Sequence, residues 1–550
     1  MAVILETLRL RSLLAFALLL VAILIIFFVV GGKIAPAPTT ATSHIANICV
    51  ANGSKLDAIL DPATCNRIDS IKEAESNKGH IRADQIVFTI RFPHQGLSMS
   101  RWFQFVATSI RLDLEHDPEF HYTKNADGSP PTLSFQATLA YRNKQGPDSH
   151  DWQAMYKSLQ ERPLVCEFVQ SQSGSNDGYY NCEDIPFFEI GNVYYEEYLV
   201  NVRLPSLVKN NQIGKITDIN FVEIHQNGGF TKVWFTLKTV VAPVSILILI
   251  WFAQRVKKLR RDSLLLEKAL FCLGVVTAFM NFPLEWFTLW INLPFMLLVT
   301  DIRQGLFYAM LMSFWVIFAG EHLVDQPERN RLKSYWKQVG AIGFGCLSLL
   351  IFDISERGYQ LHNAFHTIWS SKVGSNAALL LNSLKYGFII FAAVCACLYF
   401  LFLCVIVFRV FWNIRGKRAA IPTMSRARQL QYRGLIYRFE FLLVVTVLCA
   451  GLTVVFFVIS SVNEAQWKFG EEESTVEISS ALFTGIYGMW NVYVFSLVIL
   501  YAPSSAAPIT DDGSDENERL ELRSRTEVRV AAGETEESVV YQFTGKTARD

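Results

Sequence analysis

The chain has 550 residues, and its 50 Lys and Arg are balanced by 50 Asp and Glu. That neutrality gives no global field to draw a polyanion, so nucleic acid is excluded as an expected partner. Hydrophobic residues make up 51% of the chain and mean hydropathy is +0.25, too apolar for a multidomain soluble protein, and the excess lies in runs that decide the class.

A helix needs about 20 apolar residues to cross the hydrocarbon, at about 1.5 Å per residue. Eight runs qualify: Ser12–Gly32, Val233–Phe252, Leu266–Trp290, Leu297–Gly320, Val339–Ile354, Ala378–Phe411, Glu440–Val462 and Ala481–Tyr501. The sixth exceeds one crossing, so it should tilt or project. Basic residues fall in alternate loops: Arg255, Lys257, Lys258, Arg260 and Arg261, then Arg329, Arg331, Lys333 and Lys337, then the stretch from Arg409 to Arg433. The intervening loops hold few, and the anionic cytoplasmic side retains Lys and Arg. The expected layout is therefore a cytosolic N-terminus (1–11), a first transmembrane helix (12–32), a lumenal or extracellular β-rich domain (33–232), a seven-helix bundle (233–501) and a disordered cytosolic tail (502–550). A cleaved signal peptide ending near Ala35-Pro36-Ala37 is the alternative; the first apolar core exceeds the usual 7–15 residues of such a segment.

Four of the ten cysteines, Cys49, Cys65, Cys166 and Cys182, lie between the first two runs. In an exported segment an even set reads as disulfides. Three pairings are open; Cys49–Cys65 and Cys166–Cys182 are favoured because each pair is near in sequence, with Gly174, Asn176, Asp177 and Gly178 as turn residues in the second. Zinc is the rival reading, but no tight C-x₂₋₄-C pair is present. Asn52-Gly53-Ser54 is a glycosylation sequon on the same side.

Within that segment apolar and polar residues alternate: Ile110, Leu112 and Leu114; Leu133, Phe135, Ala137, Leu139 and Tyr141; Tyr198, Val200, Val202 and Leu204. Each run puts one face on a core and the other in water. Asp127 to Pro131 and residues 145–147 are turn material. Trp152, Met155, Tyr156 and Leu159 stand at helical spacing and predict one helix. An antiparallel β-sandwich after the first membrane helix is the natural solution.

No Walker loop, G-x-S-x-G, H-E-x-x-H or paired CxxC occurs, so neither enzyme chemistry nor a metal or cofactor is expected. His362 and His366 read as a solvated or interfacial pair. Polar groups inside spans must face a bundle interior or a wet cavity. Asn281 and Glu285 flank Pro283; Asp301, Arg303 and Gln304 open the fourth span; Asp353 and Glu356 close the fifth; Asn382 and Lys385 open the sixth; Asn491 sits mid-way along the eighth. All but Asn491 lie toward the lumenal ends, which predicts a polar-rimmed cavity opening there. The competing reading is structural, with Asp301–Arg303 pairing or interhelical hydrogen bonds. Gly485 and Gly488 with Tyr487, Met489 and Trp490 give either close helix packing or an apolar slot. Tyr432-Arg433-Gly434-Leu435 fits a tyrosine sorting signal, which binds adaptors by strand addition.

Three long strings carry a resemblance: HQNGGFTKVWF from His225 to Phe235, DIRQGLFYAML from Asp301 to Leu311, and FTGIYGMWN from Phe483 to Asn491. With them the chain resembles the Wntless family from the first span to Tyr501. The resemblance implies a lumenal β-domain on a bundle partly like a G-protein-coupled receptor, and binding of lipid-modified (acylated) Wnt proteins. It implies an acyl cavity among the helices, with Phe307, Tyr308, Tyr487, Met489, Trp490 and Asn491 as candidate lining. It also implies membrane lipids, a clathrin adaptor engaging Tyr432 and Leu435, and retromer-type recycling machinery, with residence in Golgi, plasma membrane and endosomes. The ending Gly545 to Asp550 departs from the family's retrieval signal to the endoplasmic reticulum. A signalling receptor is the alternative function, but Asn491-Val492-Tyr493-Val494 stands where an Asn-Pro-x-x-Tyr would be needed. A transporter lacks inverted-repeat signs.

Overall fold

A computed structural model of the protein describes residues 3–8, 10–51, 58–71, 73, 81, 83–93, 98–117, 121–126, 128–143, 151–170, 178–205, 212–259, 261–323, 330–366 and 474–504, with single positions at 405, 408, 409, 412, 441, 445 and 449. Outside these lie Asn52, the turn residues 145–147, Gly174, Asn176 and Asp177, and also Asn382, Lys385, Tyr432, Leu435 and the acidic tail. So do the expected sixth and seventh spans, apart from single positions, and the side chains of Asp353 and Glu356.

The polar segment folds into two antiparallel sheets. Its strands are β1 (Thr39–Ile45), β2 (Asn47–Val50), β3 (Asn66–Ile68), β4 (Ile86–Phe92), β5 (Val106–Glu115), β6 (Thr132–Arg142), β7 (Gln153–Pro163), β8 (Cys166–Gln170), β9 (Gly178–Cys182), β10 (Ile185–Ile190), β11 (Glu197–Arg203) and β12 (Lys215–Gln226). One sheet runs β1-β12-β5-β9-β8 with β10 also on β5; the other runs β3-β2-β4-β11-β6-β7. The alternation in β5 is realised as read: Ile110, Leu112 and Leu114 enter the core while Arg111 and Asp113 stay partly or fully exposed. Phe88, Phe92, Phe135, Phe187 and Phe221 fill the space between the sheets. Gly128 supplies a turn with φ +78°, a conformation open to glycine.

Both neighbouring cysteine pairs, Cys49–Cys65 and Cys166–Cys182, are bonded. Cys166 and Cys182 are register partners across the β8–β9 hairpin.

Two expectations from the sequence are corrected by the fold. The helix around Trp152, Met155, Tyr156 and Leu159 is instead strand β7, paired with β6 from Thr132↔Pro163 to Tyr141↔Gln153. A ladder of that length overrides a local spacing that short, and Leu159 stays exposed. In β11 the alternation assigns Leu199 and Asn201 to water, yet both are buried. The strand is central, and residues 58–61 cover its second face: Leu60 N–H donates to Asn201 Oδ1 at 3.0 Å and Asn201 Nδ2 donates to Leu60 O at 2.8 Å.

The helices are α1 (Ile4–Thr7), α2 (Leu10–Val29, prolonged by a π turn over Val30–Ile34), α3 (Gly228–Lys258), α4 (Leu265–Asn281), α5 (Met296–Leu323), α6 (Trp336–His362) and α7 (Ser474–Leu500). Among the described residues five stretches are long and apolar enough to cross a membrane: Arg11–Ile34, Gly228–Lys258, Leu265–Leu289, Met296–Glu321 and Ser480–Leu500. The expected third span is not one helix. It breaks after Asn281, because Pro283 lacks an N–H and disfavours α geometry in the residue before it, and resumes as a 3₁₀ turn over Leu284–Leu289. Gly485 and Gly488 pack against Phe28 and Phe27 of α2, so the small face of α7 is a helix contact. At the far end from the sandwich, Ile4 N–H donates to Ala502 O at 2.9 Å and Leu5 is buried, hooking the N-terminus under the bundle.

Candidate functional site

Buried charge concentrates where the helices meet the sandwich. Lys238 of α3 donates to Glu285 at 2.6 Å, and Arg303 of α5 donates to the same carboxylate oxygen at 3.0 Å. All three side chains are buried. The Arg303 guanidinium also donates to the carbonyls of Phe279 (2.7 and 3.0 Å), Met280 (2.5 Å) and Phe282. Those of Phe279 and Met280 are carbonyls left orphaned where Pro283 ends α4, while that of Phe282 also accepts from Leu284 N–H at 2.9 Å. One layer deeper, Asn281 Nδ2 donates to Ser245 Oγ at 2.9 Å and Asn491 Oδ1 at 2.5 Å, and Tyr487 O–H donates to Asn281 Oδ1 at 2.8 Å. Four helix segments are thus tied by polar side chains that lipid could not solvate.

The sandwich is fastened to this end at two places. Thr288 in the 3₁₀ turn donates to Gln104 at 3.0 Å, Arg101 donates to Leu289 O at 3.0 Å, and Trp102 packs between Phe235 and Trp286. On the other side the residues after α6 enter the β-core. Phe365 is fully buried, with its ring 5.2 Å from Phe187 and 5.9 Å from Phe188. Glu189 N–H donates to Ala364 O at 3.1 Å, and buried Arg162 donates to Phe365 O at 2.6 Å. Burial pushes the Arg162 guanidinium down to about 10, so it remains charged at neutral pH. Arg357 pairs with Glu189 at 2.7 Å and lies 3.6 Å from Asp301. A cavity of about 40 Å³ lies in this seam between Tyr156, Asn192, Phe295, Leu297 and Leu361, with Asn192 Oδ1 buried and without a partner among the described residues. That is room for water, not for a fatty chain.

The helical region, residues 227–505, matches the family model described as Wntless-like, transmembrane domain, and residues 49–226 match the one described as Wntless, GOLD domain. The chain belongs to the Wntless family. Protein wntless homolog of Mus musculus is 44% identical over 538 residues, covering 96% of this chain and 95% of that protein. The Homo sapiens homolog has the same identity and coverage. Protein wntless of Drosophila persimilis is 41% identical over 528 residues, 92% of this chain and 90% of that protein. The two Wntless models meet where β12 stops and Asn227 caps α3, accepting from Gly229 N–H at 2.8 Å.

In this Wntless chain the candidate rim residues divide. Asn281, Glu285 and Arg303 are buried: Asn281 bonds Ser245, Asn491 and Tyr487, Glu285 meets Lys238, and Arg303 meets Glu285 and the broken end of α4. The alternative Asp301–Arg303 pairing is also corrected: residues two apart on a helix do not face each other, and Asp301 turns to Arg357. Asp301 is half-buried and Gln304 exposed, so these two lie at an accessible edge. Of the candidate lining residues, Phe307, Tyr487, Met489, Trp490 and Asn491 are buried and Tyr308 half-buried. Phe307 and Trp490 touch at 6.0 Å between centroids, and Tyr487 meets Phe27 and Trp234. They form packed contacts between helices. Lys238, Arg162, Glu189 and Phe365 were not anticipated. Lys238 carried a signal, since it stands five residues inside the expected span that begins at Val233.

Proposed function

We propose that this chain binds lipid-modified Wnt proteins on the side of the membrane that holds the sandwich, escorts them to the cell surface, and returns by endocytosis. The supporting observation is that a Wntless GOLD sandwich and Wntless-like helices form one fastened unit, with Phe365 inserted from one into the other. A fatty chain in water costs about 0.8 kcal/mol per CH₂. A carrier must therefore offer an apolar surface beside a grip for the protein part. On α5, Gln304 and Leu306 are exposed, and among the described residues nothing lies within 4 Å of a Cβ placed on Gly305. On α6, Phe344, Leu347, Ile351 and Ile354 form an exposed apolar stripe. We place the acyl chain along these faces of a bundle of eight spans, partly like that of a G-protein-coupled receptor, whose termini are cytosolic. Asp301 and Gln304 then stand at the slot's edge, with Asp353, Asn382 and Lys385 as further rim candidates. Tyr432 and Leu435 serve a clathrin adaptor, and retromer-type machinery recycles the chain through endosomes and Golgi.

The test is rescue. In cells lacking their own carrier, this chain should restore Wnt secretion, and a Wnt with its acylation site removed should co-purify poorly with it. Normal secretion without any carrier, or equal recovery of acylated and non-acylated Wnt, rejects the reading.

A further inference from the structure

A second cavity, of about 310 Å³, lies where β12 runs into α3, within the range of small-molecule clefts (about 300–1,000 Å³). Its walls include Thr40, Ser100, Trp102, Phe103, His225 and Lys232, and no Asp or Glu lines it. The Lys232 ammonium lies 5.5 Å over the Trp102 ring and has no carboxylate partner among the described residues. Trp102 is itself fixed, 5.9 Å from Phe235 and 5.8 Å from Trp286, and His225 lies 4.5 Å from Phe103, ring to ring.

The two hydroxyls are oriented by what they accept. Thr40 Oγ1 accepts from Asn227 Nδ2 at 3.3 Å, and Ser100 Oγ accepts from the Trp102 N–H at 3.3 Å. Each keeps its own proton, and among the described residues neither proton meets an acceptor. One cation and two unspent O–H donors, with no carboxylate among the lining residues and Glu223 turned to His225 at 3.4 Å, describe a site for an anion. Gly228 keeps it compact, since a Cβ there would stand 3.1 Å from Trp102 and 3.2 Å from Phe103.

Depth selects which anion. From Gly228, the start of α3, Lys232 lies about 6 Å along the helix axis, and the apolar run begins at the next residue. The polar layer flanking the hydrocarbon is about 5–7 Å thick on each side. Tryptophans gather in that layer, and Trp102 and Trp286 pack together at this end of the helices, 5.8 Å apart.

We propose that this cavity binds the phosphate of a phospholipid from the leaflet on the sandwich side, with Lys232 as counter-charge and Thr40 and Ser100 as donors. The site is separate from the Wnt reading and stands if that reading fails. Lipid held here buttresses the junction through which the sandwich rests on α3.

The experiment uses full-length chain in detergent, given phosphatidylcholine and then stripped, with native mass spectrometry as the readout. The chain should retain one phosphatidylcholine where a diacylglycerol with the same chains is lost. Lys232→Gln should weaken retention about tenfold, the scale of one charge-assisted hydrogen bond, while Lys232→Arg preserves it. Lys232 is exposed, so Lys232→Gln should elute as wild type does; if it misfolds, the double variant Thr40→Val with Ser100→Ala carries the same test. Equal retention of the two lipids, or undiminished binding in the folded variants, overturns the proposal. Displacement by inorganic phosphate alone overturns the lipid assignment in favour of a free anion.

Discussion

Lys238 on α3 meets Glu285, beyond the end of α4, at 2.6 Å in a site where both side chains are buried. Removing one member of a buried pair costs about 3–5 kcal/mol when the other is left charged and unpartnered; here Glu285 keeps Arg303 at 3.0 Å as a second counter-charge. Lys238→Met should therefore lower the thermal midpoint of the full-length chain, by less than that full penalty. Lys238→Met combined with Glu285→Gln should lose much less than the sum of the single changes. Strict additivity in that double-mutant cycle would show that the pair does not couple.

Arg303 allows a stricter test of the same end. Its planar fork reaches three carbonyls and a carboxylate at once, and a lysine ammonium has neither that geometry nor that many donors. Arg303→Lys, although it keeps the charge, should destabilise the chain by about 1–3 kcal/mol for carbonyls left unsatisfied. Hydrogen exchange should rise at residues 278–289. Unchanged exchange there would mean that Arg303 does not hold the broken helix end.

Phe365 is the mechanical link between sandwich and bundle. Phe365→Ala should cost about 3–5 kcal/mol and loosen β7 and β10 together, read as faster exchange at Arg162 and Glu189. Phe365→Leu, which retains most of the volume, should cost less. If Phe365→Ala affects only residues 363–366, the insertion is local and does not couple the two parts.

How far the sequence discloses this site depends on whether a residue belongs to a repeating pattern. β5 was legible because every second residue from Val106 to Leu114 is buried. The Lys238–Glu285–Arg303 cluster was half legible: a charge in an apolar run must find a partner, but the choice among partners is made by packing. Phe365 had no signal, being one aromatic residue in a connection, and its burial depends on Phe187 and Phe188 about 180 residues earlier in the chain. β7 misled for a related reason, since its fate is decided by ten register partners on β6.

Acid should weaken the sandwich through Glu197. Burial alone would push this carboxyl up, but hydrogen bonds from Arg91 and Arg142 hold it below the usual carboxylate range. A depressed folded pKa contributes stability that is fully present above the unfolded value, about 4.3, and is lost as pH falls through the lower folded value. The midpoint of wild type should therefore fall between about pH 5 and pH 3 more steeply than that of Glu197→Gln. Parallel curves would exclude Glu197 as a source of the acid sensitivity.

The exposed face of α5 allows the proposed cargo binding to be tested apart from folding. Gly305 has open space around it among the described residues, whereas Gly320 on the same helix abuts the Tyr335 ring. Gly305→Trp should accordingly leave the stability within about 0.5 kcal/mol of wild type, as for a surface change. It should nonetheless obstruct a fatty chain lying beside Gln304 and Leu306, so co-purification of acylated Wnt should drop severalfold. Gly320→Ala should do the reverse, destabilising the chain through Tyr335 with cargo lost only in proportion to folded protein. If Gly305→Trp carries acylated Wnt as well as wild type does, the acyl chain lies elsewhere and the slot along α5 and α6 is wrong, whatever becomes of the sandwich's grip on the protein part.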